Sequence, residues 1–323
     1  MKILIIRFSS IGDIVLTTPV VRCLKLQTSA TIHYLTKRNF KGILAQNPYI
    51  DKTYSIDKEV VELKNELKAE QYDLIIDLHN NLRSRRLSRM LGVKAIRFEK
   101  LNIQKWLLVN LGINRLPNLH IVDRYMATVA SLNVVNDQAG LDYFMPESDR
   151  VDVKNILGIS APYIAFVIGA AHATKRLTDA KIIEICKQIQ QPIVLIGGKE
   201  ERDIGEHIAQ DSGAHVINTC GQLSLNQSAS VVQQSAHVIA HDTGLMHIAA
   251  AFRKPITLVW GNTIPAFGMY PYLPNNSPLH HNVEVKNLSC RPCSKIGFQQ
   301  CPKGHFRCMQ DIDVAEVVRT VVN

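Results

Sequence analysis

No uninterrupted apolar run in this 323-residue chain reaches the roughly 18 residues that a membrane-spanning helix needs. The opening stretch MKILIIRFSSIGD has its apolar segment cut short by Arg7 and followed by Asp13, unlike a secretory leader, so a cytoplasmic location is expected. The G-x-G-x-x-G fingerprint of dinucleotide sites is absent, which argues against NAD. Zinc-finger spacing and basic residues interleaved with aromatics are absent too, so nothing supports nucleic acid as a partner. There is no low-complexity tract and no short-period repeat. Acid is in short supply: 28 Asp and Glu stand against 37 Lys and Arg, a net charge of +9. A surplus of that sign favours an anionic partner.

What is present is a long alternation of strand-like and helix-like segments. KILIIR, TIHYLT, YDLIIDL and KAIRF read as strands in the first half, with helical stretches between them. IGDIVLTTPVVRCLKLQ has helical spacing. After Pro162 the pattern restarts with YIAFVIG, PIVLIGG, HVINT, HVIAH and PITLVW as strands. DAKIIEICKQIQ, EERDIGEHIAQDS, LNQSASVVQQS and LMHIAAAF read as the helices between them. Strands that alternate with helices imply parallel sheets covered on both faces. The expected fold is α/β, two Rossmann-like doubly wound domains over residues 1–150 and 151–323, with the linker near 137–162. Ligands of such sheets bind beyond the carboxyl ends of the strands, so the loops there are where function is sought.

The first of these loops is RFSSIGDIVLTTP, in which Gly12 and Asp13 open a helix. A carboxylate in a first helical turn favours the helix dipole, and one facing a cleft can serve as a general base; both readings stand for Asp13. In the second half, IGAAHATKR carries Thr174, Lys175 and Arg176, a hydroxyl and two cations suited to a diphosphate, or an ordinary turn with surface charge. LIGGKEERD offers Glu200 or Glu201 to ribose hydroxyls or to a helix start. In HVIAHDTGLMHIAAAF, Asp242 and Thr243 can cap a helix whose first N–H groups, at Thr243, Gly244 and Leu245, favour an anion, with His247 on its first turn.

DTGLMHIAAAFRKPITLVWG resembles the donor-site signature of family 9 glycosyltransferases, the ADP-heptose:lipopolysaccharide heptosyltransferases, and RFSSIGDIVLTTPVVRCLK resembles that family's N-terminal signature. DLHNNLRSRRLSRMLG is similar to its acceptor-domain segment. The resemblance implies the GT-B architecture, with the active site between an acceptor domain and a nucleotide-sugar donor domain. It implies a final helix at about 311–322 that packs back toward the first domain. It also implies inverting transfer of a heptose from ADP-heptose to a lipopolysaccharide core acceptor, with no metal or other cofactor in catalysis. A related transferase that uses another nucleotide-diphosphate sugar, or a non-catalytic nucleotide- or anion-binding protein, are the alternatives. By resemblance Asp13 is the general base, with Gly12 keeping the loop close to the substrates. Thr174 and Lys175 belong to the donor loop, Lys175 neutralising the departing diphosphate. Glu201 matches the ribose-binding acid, and Thr243, Gly244, Leu245 and His247 the diphosphate site, with Asp242 orienting the loop or contacting the sugar. Arg83, Ser84 and Arg86 fall on the acceptor side, in a basic segment that runs to Lys105; it would face an anionic lipid-linked acceptor at the cytoplasmic face of the inner membrane, with a solvated helix face as the alternative. Leu177 departs from the family pattern, where many members carry an aromatic residue.

CRPCSKIGFQQCPKGHFRC gathers Cys290, Cys293, Cys301 and Cys308 near the C-terminus. A Cys-x-x-Cys pair followed by two more thiols can form a structural zinc site, with His305 as a substitute ligand; four reduced thiols in a partly buried loop are the alternative.

Overall fold

The computed structural model describes residues 1–322. The chain divides into two compact units, Met1–Lys100 with Leu119–Met145, and Leu101–Asn118 with Pro146 onward. The segment 101–118, expected in the first domain, thus clusters with the second unit. Among the described residues no helix is long and apolar enough to cross a membrane.

The first unit is built on a parallel sheet of β1 (Lys2–Ile6), β2 (Thr31–Lys37), β3 (Lys52–Ile56), β4 (Leu74–Asp77) and β5 (Ala95–Arg97), in the order β3-β2-β1-β4-β5. The second is built on β6 (Ile164–Val167), β7 (Ile193–Ile196), β8 (Val216–Asn218), β9 (His237–His241), β10 (Ile256–Trp260) and β11 (His280–Glu284), in the order β11-β10-β9-β6-β7-β8. Each pairing is parallel. These are doubly wound sheets, and the strand order reverses between β1 and β4 in one and between β6 and β9 in the other.

The central strands are continuous apolar runs because helices cover both faces. IAFV, IVLI and HVIAH are buried at every position. Removing one such Ile, Leu or Val side chain from water contributes about 1.5–3 kcal/mol. The covering helices show the matching stripe. In Asp179–Gln188 the buried residues are Ile182, Ile185 and Cys186, three and four apart, and the N-cap Thr178 accepts from the Lys181 N–H at 3.4 Å. The long helical stretch expected after β1 is two helices, Ile11–Val15 and Thr18–Gln27, because Pro19 lies in the first turn of the second and cannot donate to a preceding carbonyl. The last helix, Val314–Val322, sends Val314 and Val317 into the core of the second unit with Ile182, Ile185 and Val283.

Candidate functional site

Both constellations flagged by the sequence stand at the reversal points of the sheets. In the first unit, Arg7 follows β1 and Asp13 sits in the first turn of Ile11–Val15. Asp13 Oδ1 pairs with Arg7 Nη2 at 2.7 Å. Its Oδ2 accepts from the Ser10 N–H at 3.1 Å and from Ser10 Oγ at 2.8 Å. The side chain keeps about a fifth of its exposure. Burial opposes its ionisation, but the Arg7 charge and the Ser10 hydrogen bonds outweigh that and hold the carboxyl below its ordinary value. Arg7 also donates to the Leu78 carbonyl at 2.6 Å and to Tyr125 Oη at 3.0 Å, which joins the loop after β1 to the loop after β4. The helix-start role and an ionised, anchored carboxylate are thus both present in Asp13.

The residues expected on the acceptor side lie on the helix Leu82–Leu91. Ser84 is fully buried: its Oγ donates to Asp77 at 2.7 Å and accepts from the Asn81 N–H at 3.0 Å, while its own N–H bonds Asn81 Oδ1 at 2.9 Å. Ser84 therefore holds the helix start, while Arg83 is half-buried and Arg86 exposed. Asp77, which the sequence reading did not single out, organises this corner by accepting also from the backbone N–H groups of His79 and Asn80 at 3.1 and 2.7 Å.

In the second unit, Lys175 follows β6 and Asp242 follows β9, and they meet at 2.6 Å. Thr263 Oγ1 donates to the same Asp242 oxygen at 3.0 Å. Thr243 is the N-cap of Gly244–Ala251, yet its hydroxyl makes no capping bond and is buried without a partner, and Asp242 is committed to Lys175. The first N–H groups of this helix have no intrahelical acceptors. Gly244 and Leu245 in that turn are half-buried, and His247 is buried. His241, unassigned by sequence, accepts from the Leu177 N–H at 3.0 Å, and burial pushes its imidazole down to about 4. A neutral histidine thus ties β9 to the loop after β6.

Thr174 is 1 % exposed. Its hydroxyl bonds the Asn262 side chain and the Phe298 carbonyl, both at 3.1 Å, and the Phe298 N–H bonds it at 2.8 Å. It brackets the loop from within. Glu201 pairs with Arg176 at 2.9 Å and accepts from the Gly198 N–H at 2.9 Å. A Cβ on Gly197 would come within 2.8 Å of Glu201 Cβ, so glycine here makes room for Glu201.

The four clustered cysteines are free thiols, and among the described residues no three His, Cys, Asp or Glu are gathered as a metal-holding group. Cys290 Sγ lies 3.7 Å from His305 Nε2, and burial pushes the Cys308 thiol up to about 12. Cys290, Cys293 and Cys301 all bear on the Cys308 thiol, so the four expected zinc ligands lie near one another. The loop is also held by Arg291, which bonds the carbonyls of Gly261, Val285 and Thr263 at 2.5, 3.0 and 2.8 Å and pairs with Glu284 at 2.6 Å.

The family model described as glycosyltransferase family 9 (heptosyltransferase) matches residues 60–302, more than half of the chain. The chain is 28% identical over 349 aligned residues to lipooligosaccharide heptosyltransferase 2 of Haemophilus ducreyi, covering 99% of this chain and 98% of that protein. Its fold matches a family 9 glycosyltransferase from Veillonella parvula with a TM-score of 0.80 at 20% identity, over 99% and 96% of the two chains. It also matches an Escherichia coli heptosyltransferase solved with ADP, with a TM-score of 0.69 at 18% identity over 99% of each chain.

Proposed function

Since the chain belongs to glycosyltransferase family 9, the heptosyltransferases, we propose that it transfers a heptose from ADP-heptose to a lipopolysaccharide core acceptor, with inversion at the anomeric carbon. The observation that carries this reading is the meeting of Lys175 with Asp242 beside the first turn of Gly244–Ala251. A cation and unpaired helix N–H groups at the reversal point of a doubly wound sheet suit a nucleotide diphosphate. The ADP bound by the E. coli neighbour supports the choice of nucleotide.

On donor binding the diphosphate competes with Asp242 for Lys175. The N–H groups of Gly244 and Leu245, with His247 behind them, add hydrogen bonds to the phosphates. Glu201 takes the ribose hydroxyls. Asp13 accepts the proton of the acceptor hydroxyl as that oxygen bonds the anomeric carbon from the face opposite ADP. The bond from the anomeric carbon to the diphosphate oxygen breaks, and ADP leaves with its added charge met by Lys175. We assign no metal or other cofactor to this step. Arg83, Arg86 and the exposed basic residues around them engage the anionic groups of a lipid-linked acceptor at the inner membrane face.

The test is transfer from ADP-heptose to a heptose-free lipopolysaccharide inner core, read by mass spectrometry, with the product anomer assigned by NMR. One added heptose of inverted configuration is expected. Asp13→Asn should lower turnover by about 100- to 10,000-fold with donor affinity unchanged. Transfer from another nucleotide sugar with ADP-heptose inert would overturn the donor, and wild-type turnover in Asp13→Asn would overturn the base.

A further inference from the structure

We infer that Arg7 is the positioning residue of this chemistry: it holds the Asp13 carboxylate in one orientation and keeps it ready to accept a proton. The inference rests on Asp13 being the base. Arg7 is 8% exposed and immediately follows β1. Its guanidinium is fixed from several sides. Nε donates to the Ser9 carbonyl at 2.8 Å, and Nη1 donates to the Leu78 carbonyl at 2.6 Å and to Tyr125 Oη at 3.0 Å. Those bonds point the remaining nitrogen, Nη2, at Asp13 Oδ1, 2.7 Å away. Two loop carbonyls and a phenol thus aim one charged N–H edge at one carboxylate oxygen. With Oδ2 held by Ser10, the carboxylate has hydrogen-bond partners on both oxygens and little freedom to rotate. A helix start alone explains the Ser10 bonds. It does not call for a cation tethered from a second loop.

The electrostatics of the corner assign the same role. Besides Arg7, the ionisable groups that bear on Asp13 are Tyr34, Tyr125 and His79. Burial raises both phenols, and burial with Arg7 and Lys100 beyond it pushes His79 down to about 3, so all three are neutral near pH 7. Lys37 adds positive charge around His79. Arg7 is therefore the charged side chain in direct contact with Asp13. An opposite charge this close favours the ionised carboxylate by about 1–3 pH units. It lowers the driving force for taking the acceptor proton, yet it keeps every molecule in the basic form and returns the proton to solvent readily.

The experiment compares the pH dependence of turnover in the wild type, Arg7→Met and Arg7→Lys, with ADP affinity measured by calorimetry. Arg7→Met should move the acid limb of kcat upward by at least about one unit and lower the plateau, with ADP affinity unchanged. Arg7→Lys keeps the charge and loses the fork, so its limb should lie between the two, with a lowered plateau. A role in folding alone would lower the melting temperature and leave the limb where it was; that result in a folded variant overturns the inference. If Arg7→Met does not fold, Arg7→Lys decides, and a limb and plateau like the wild type's overturn it. Asp13→Asn at full turnover would instead remove the base itself, whereas an inactive Asp13→Asn with unshifted Arg7 variants rejects only the role given to Arg7.

Discussion

Lys175 illustrates how much a single side chain depends on the state of its site. Its ammonium pairs with Asp242 at 2.6 Å, and both side chains are largely buried. A diphosphate that takes over Lys175 must leave Asp242 with the Thr263 hydroxyl, which donates to it at 3.0 Å. The exchange of a carboxylate for a more highly charged phosphate is favourable, and a charge-assisted hydrogen bond contributes about 1.5–3 kcal/mol. Lys175→Ala should therefore weaken ADP binding by about 10- to 100-fold in calorimetry while adenosine binding changes little. Equal losses for the two ligands would place Lys175 away from the diphosphate. The sequence marked Lys175 and Asp242 separately as loop residues, but their pairing across 67 positions was invisible to it.

At the scale of elements, the strands missed by the sequence reading are β3 and β11, both at sheet edges. KTYSI and HHNVE keep exposed or half-buried residues among buried ones, so polar side chains interrupt the apolar run that marks an inner strand. The loop that follows β11 carries a legible cysteine motif and a part that was not legible: the Arg291 guanidinium supplies bonds that hold it. This loop also reaches Thr174 through Phe298, and a Cβ on Gly261 would meet the Thr174 carbonyl at 2.4 Å. The loop after β6 and the loop after β11 thus pack directly against each other. Arg291→Ala should cost about 3 kcal/mol of stability, because it strips a buried charge pair and leaves carbonyls unpaired, and it should weaken ADP binding as well. A structural zinc at the thiols predicts about one zinc per chain and melting lowered in chelator, whereas metal-free protein with unchanged melting would leave the loop to Arg291 alone.

For the molecule as a whole, buried histidines set the response to acid. Burial lowers His33, His79, His237, His241 and His280 below the ordinary imidazole value, His237 and His241 to about 4. The unfolded chain then binds more protons than the folded one as pH falls. Their contribution is complete above about pH 6.5 and is lost progressively down to about pH 4, up to roughly 3 kcal/mol for His241 alone. Carboxylates held low by their partners, Asp13, Asp51 and Asp137 among them, add a second loss that begins only below about pH 4. Urea unfolding at pH 7, 5.5 and 4.5 should show stability falling steadily across that series. A flat series would mean that the imidazoles protonate without unfolding.

The sequence by itself determined the class of fold, the inner strands and the loops at their carboxyl ends, because a strand buried on both faces must be apolar and a chain that leaves it for a helix must turn there. The motifs at Asp13, Lys175 and Asp242 were legible for the same reason, since polar groups at such junctions stand out from apolar flanks. Only the tertiary structure decided what each group bonds. It committed Ser84 to a helix start, Thr174 to a loop bracket and Arg7 to Asp13, and it gave the final helix to the core of its own unit. Those assignments depend on which loops the strand order brings side by side, and hydrogen bonds between residues far apart in the chain leave no period or spacing in it.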